Sequence, residues 1–80
     1  MKLVWLDPSE RAVRDARYDG KRPPSITAAI ELREDLNLGL REAHALFHNK
    51  YADLGPFSES DLLKMIDILD KAGCSPELKD

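Results

Sequence analysis

The chain has a single cysteine, no long apolar run and no dominant charge, and each shortage excludes a class of protein. Cys74 has no second cysteine to pair with, so no internal disulfide supports the fold and nothing marks an oxidising compartment. The amino-terminal apolar run in MKLVWLDP is shorter than a signal-peptide core and stops at Asp7-Pro8, and no segment reaches membrane-spanning length. A cytoplasmic chain with no membrane partner is expected. A formal net charge of −3 opposes general affinity for nucleic acid, which depends on neutralising phosphates. Phosphate-cradling glycine loops, nucleophile elbows, internal repeats and low-complexity tracts are missing as well. What is present is 80 residues, 42% of them hydrophobic and 34% charged, which suffices for one small packed core and leaves no room for a second domain.

The middle of the chain, Ile26 to Asn49, organises the rest. Ile26, Ala29, Ile30 and Leu36 fall on one side of a first helix, and Leu40, Ala43, Leu46 and Phe47 on one side of a second. The joint Leu36-Asn37-Leu38-Gly39-Leu40 is short enough to fold the second helix back on the first. It needs a residue tolerant of positive φ, for which Asn37 and Gly39 are the candidates. Ser25 is placed to cap the first helix.

Leu3 to Leu6 has the length and composition of one buried strand. Asp7, Pro8 and Glu10 then read as N-cap, first helical residue and capping-box acid of a thin surface helix over about 8–18, stopped by Asp19-Gly20 and followed by the connector Lys21-Arg22-Pro23-Pro24. After the paired helices, Tyr51 to Leu54 can form a weak strand, with Tyr51 or Leu54 facing inward, and Gly55-Pro56 a turn. Ser58 opens the most periodic helix, with Leu62, Met65, Ile66, Leu69 and Ala72 inward and Leu63 and Ile68 flanking, and Gly73 sits at its expected C′ position. The tail around Glu77 to Lys79 can add an edge strand, with Leu78 facing the helices. The expected fold class is α+β: a small antiparallel three-stranded sheet covered on one face by three helices, plus an inserted N-terminal surface helix. All of it belongs to a single domain over 1–80, in which 8–24 are the inserted helix and proline-rich connector.

These residues resemble a known family, the globular C-terminal domain of the bacterial ribosomal stalk protein. The likeness lies in Arg33 followed by Leu38-Gly39-Leu40-Arg41-Glu42-Ala43 and Leu46, and in the ending, Ser58 opening a helix, then Ala72-Gly73 and Glu77-Leu78-Lys79. Together they cover about two-thirds of the chain in the right order. The resemblance implies a docking surface for translation GTPases on the paired helices, here carried by Arg33, Leu38, Gly39, Leu40, Arg41, Glu42 and His44. Family lysines are replaced by Ser25, Ile30 and His44, so encounter with an acidic partner should be slower. The stalk protein's dimerisation segment and hinge have no counterpart, so the expectation is a solitary stalk-head-like domain.

His44 and His48 are spaced i and i+4, which can put two imidazoles on one helix face for a metal, but with no third ligand nearby they read as solvent-edge histidines. Cys74 reads as a small residue at a strand edge, and Asp61, Asp67 and Asp70 as a solvated helix face. No catalytic constellation and no cofactor follow, and enzymatic activity is not expected. Arg11, Arg14, Arg17, Lys21 and Arg22 form a basic cluster that suits an acidic protein surface or RNA.

The function expected is therefore a non-enzymatic protein-protein interaction module, docking on translation machinery, a translation GTPase or the ribosome, or acting as a small, phage-encoded regulator of a larger bacterial machine. One alternative is a ClpS-like protease adaptor, to which Leu40 to Gly73 is loosely similar, with His48 near a histidine used by that family but Asp7-Pro8 in place of its Asn-Asp pair. Another is a helix-turn-helix nucleic-acid binder, against which stand Asp35 near the turn and Arg41 as the one fixed cation of the second helix.

Overall fold

A computed structural model describes residues 1–7, 10 and 24–80. Its elements, in order, are β1 (Lys2–Val4), α1 (Pro24–Asp35), α2 (Leu40–Asn49), β2 (Tyr51–Asp53), α3 (Glu59–Lys71) and β3 (Glu77–Lys79). The sheet order is β2-β1-β3, and both pairings are antiparallel. This is the α+β class expected. The helix expected over 8–18, with Arg11, Arg14, Arg17, Lys21 and Arg22, lies outside the described residues except for Glu10. There Asp7 Oδ1 accepts the Glu10 N–H at 3.0 Å, the bond expected of an N-cap.

The sheet registers on its first strand. Leu3 stands opposite Ala52 on one side and Leu78 on the other, so these three share one face of the sheet. Leu3 and Ala52 are buried with Trp5 in one cluster with Ala28, Leu32, Ala43, Phe47, Leu62, Met65, Ile68, Leu69 and Cys74. The other face takes Lys2, Val4, Tyr51, Asp53, Glu77 and Lys79 by alternation. Tyr51 therefore points away from the helices, where its ring receives Lys2 Nζ at 4.1 Å, and Leu54 is exposed as well. Ala52, the residue between them, is the inward one. Leu78 faces the helix side but remains 43% exposed because β3 is an edge strand.

Helix faces differ from expectation in an instructive way. In α1 the buried residues are Ala28, Ala29 and Leu32, with Leu36 packed against the cluster, whereas Ile26 is 45% exposed and Ile30 half-buried. The inner face keeps Ala29 and Leu36 but is rotated by roughly a quarter-turn from the expected face of Ile26, Ala29, Ile30 and Leu36. In α2, Ala43, Leu46 and Phe47 are buried as expected but Leu40 is 61% exposed. In α3, Leu62, Met65 and Leu69 are buried and Leu63 is exposed, while Ile68 joins the core ahead of half-buried Ile66 and Ala72.

The ends of the helices follow local chemistry. Helix α1 starts at Pro24, so Ser25 falls in its first turn instead of capping it. It closes with Asn37 at φ 55° and the Leu38 N–H on the Arg33 carbonyl at 2.9 Å, a Schellman-type stop. Helix α3 opens on Ser58, whose side chain accepts the Asp61 N–H. It closes on Gly73 at φ 79°, where the Gly73 and Cys74 N–H groups reach the Asp70 and Leu69 carbonyls. Cys74 is fully buried beyond that turn and its carbonyl accepts the Leu6 N–H at 2.7 Å, so it is a core residue and not a strand-edge one.

Candidate functional site

The joint between α1 and α2 collects the residues singled out from the sequence. Gly39 has φ −69° and ψ 160°, extended backbone open to any residue; the left-handed position in the joint is Asn37. Gly39 is the N-cap of α2, and the Glu42 carboxylate reaches back to accept its N–H at 2.9 Å. Lacking a side chain, Gly39 contributes no cap of its own, so Glu42 is the side chain that fixes where α2 begins.

Leu40, Arg41, Glu42 and His44 are all exposed on the first half of α2, and Arg33 is exposed on the last turn of α1. Leu38 differs. It is half-buried and packed against the core, holding the joint down rather than standing free of it. Leu40, His44 and His48 recur every fourth residue, one stripe along α2.

That stripe borders a groove of about 380 Å³ lined by Asp7, Ile26, Ala29, Ile30, Leu40, His44, Phe47 and His48. Its walls come from the two helices, and its rim from the loop after β1. The rotation of α1 creates it: with Ala28 and Leu32 turned to the core, Ile26 and Ile30 are left to face the neighbouring helix at the surface. Ile26, Ile30 and Phe47 read from the sequence as interior residues, and the signal that part of this set forms a groove is only the breadth of apolar positions on α1.

Charge at the rim is arranged around Lys50. Its ammonium pairs with Glu10 and lies 3.6 Å from Asp7 Oδ2. These partners, the Glu10 hydrogen bond first, raise the Lys50 pKa above its usual 10.5. Asp7 thus meets the groove as a partly neutralised carboxylate.

His44 and His48 touch edge to face, with ring centroids 4.4 Å apart. Among the described residues, no three His, Cys, Asp or Glu side chains converge as a metal cluster, and no helix is long and apolar enough to cross a membrane. Asp67 and Asp70 are exposed on α3, and Asp67 pairs with Lys71 at 3.1 Å. Comparison of the chain with protein-family models, with curated proteins and with solved structures found no match.

Proposed function

We propose that this chain is a non-enzymatic protein-binding module that docks a larger bacterial machine through the ridge of Arg33, Gly39, Leu40, Arg41, Glu42 and His44. The observation carrying this reading is Leu40, 61% exposed on the first turn of α2, beside the groove it shares with Ile26. Leaving two large aliphatic side chains half-exposed on one face of so small a domain forgoes roughly half of the stabilisation, about 1.5–3 kcal/mol, that full burial of each would contribute. Arg33 on the last turn of α1 and Arg41 on the first turn of α2 are both exposed and suit an acidic partner surface. The resemblance to the ribosomal stalk head supports a translation GTPase as that partner.

The test is a direct titration of a bacterial translation GTPase with the purified chain. Saturable binding is expected, weakened at least tenfold by Leu40→Glu or Arg41→Glu and unchanged by Leu63→Ser, which alters an equally exposed leucine on α3. Binding indifferent to both ridge variants, or no binding by the wild-type chain, removes the reading.

One observation favours the ClpS-like adaptor as a second reading. Asp7 and His48, on different elements, line the same largely apolar groove, which is the combination needed to hold a peptide's free ammonium while enclosing its first side chain. The Lys50 ammonium already engages Asp7 and would compete. Peptides beginning with Phe, Leu or Trp should bind and their acetylated forms should not; failure of the free peptides eliminates this reading.

A further inference from the structure

The docking ridge makes no use of the contact between the two imidazoles of α2. His44 and His48 stand one turn apart, both exposed, with centroids 4.4 Å apart and planes at 67°. A zinc-sized ion binds imidazole nitrogen at ~2.0–2.1 Å, so two rings on one ion have centroids about 4.5 Å apart at a right-angled bite and about 5.2 Å at a tetrahedral one. The observed spacing lies beside the short end of that range. The rings now meet edge to face, so chelation requires both to turn about their side-chain torsions until one nitrogen of each points toward a common point.

We propose that His44 and His48 chelate one borderline divalent cation, Zn²⁺ or Cu²⁺, with water in the remaining coordination positions. The helix holds both donors on one face, so little chain entropy is lost when they converge. The surroundings favour a cation as well. His48 lies in the last turn of α2, at the negative end of the helix dipole, while Asp7, which lines the same groove, is already paired with the Lys50 ammonium. Imidazole nitrogen selects these ions over Mg²⁺ and Ca²⁺, which prefer oxygen. Metal binding needs neutral imidazole nitrogen, so uptake should weaken in acid. Among the described residues lining the groove, Asp7 is the one other ionisable group, and Lys50, itself paired with Glu10, lies beside it.

The experiment is calorimetric titration of the full chain with Zn²⁺ at pH 7.5, alongside nitrogen-resolved NMR of the imidazoles. Saturable uptake is expected, with ring nitrogens of both histidines shifting. His44→Ala and His48→Ala should each weaken binding at least tenfold, and Mg²⁺ should not bind. Both side chains are exposed, so the variants should keep the far-ultraviolet circular dichroism of the wild-type fold. No uptake by the wild-type chain, dependence on only one histidine, equal uptake of Mg²⁺, or retained binding in the double variant would each overturn the proposal.

Discussion

The Trp5 N–H donates to the Lys50 carbonyl at 3.0 Å, and Lys50 accepts that bond from a left-handed backbone, φ 64° and ψ 16°. The turn from α2 into β2 therefore rests on a lysine in a conformation that suits glycine, while its side chain reaches Asp7 and Glu10. Lys50→Ala and Lys50→Gly both lose the ion pair, but only the glycine relieves the backbone. Lys50→Gly should be the more stable of the two by about 1 kcal/mol in urea denaturation. Equal stabilities would show that the left-handed turn carries no cost.

The same pair of carboxylates gives alkaline pH a specific effect. Lys50 has its pKa raised, chiefly by the hydrogen bond with Glu10, and Lys71 likewise by Asp67. A raised folded-state pKa stabilises fully below the unfolded value of 10.5 and loses that contribution as pH climbs through the folded value. Stability should fall above about pH 10.5, and Lys50→Met should flatten the fall, as measured by denaturant midpoints from pH 9 to 12. An unchanged slope in Lys50→Met would assign the loss elsewhere.

The joint separates two residues that the sequence presents as equivalent. Asn37 is left-handed and Gly39 is not. Asn37→Gly should stabilise by a few tenths to about 1 kcal/mol, and Asn37→Ala should destabilise by about 1 kcal/mol. Gly39→Ala places its Cβ 3.2 Å from Glu42 Oε2, the movable end of a flexible side chain, and should cost less than Asn37→Ala. Thermal unfolding of the three variants checks the order, which a greater loss in Gly39→Ala would reverse.

Trp5 is 4% exposed, yet its Nε1 has no hydrogen-bond partner among the described residues. Trp5→Phe removes that orphan donor, recovering about 1–3 kcal/mol against the lost ring volume. It should therefore cost under about 1.5 kcal/mol, while Trp5→Ala should cost about 3–5 kcal/mol. A Phe variant as damaged as the Ala variant would mean that Nε1 does find an acceptor.

Much of the architecture was legible because it is local. Ser58 and Gly73 bracket α3 through hydrogen bonds within a few residues of themselves, and Leu62, Met65 and Leu69 repeat with a period only a helix satisfies. The candidate site was legible in part. Leu40, Arg41, Glu42 and His44 could be placed on one helix, but the groove beside them could not be seen, since Ile26 and Ile30 look like interior residues until the partner helix is positioned.

The α+β element order, the stop at Gly73 and the periodicity of α3 are properties of neighbouring residues, and the sequence alone determined them; which of Asn37 and Gly39 ends α1 was decided by the structure. Tertiary packing decided which way the elements face. In a three-residue strand only pairing tells Ala52 from the larger Tyr51, and pairing with Leu3 turned the alanine inward. In α1 apolar residues occupy so much of the circumference that several faces could serve as the core; burial of Ala28 and Leu32 selected one, and Ile26 was left at the surface as a consequence.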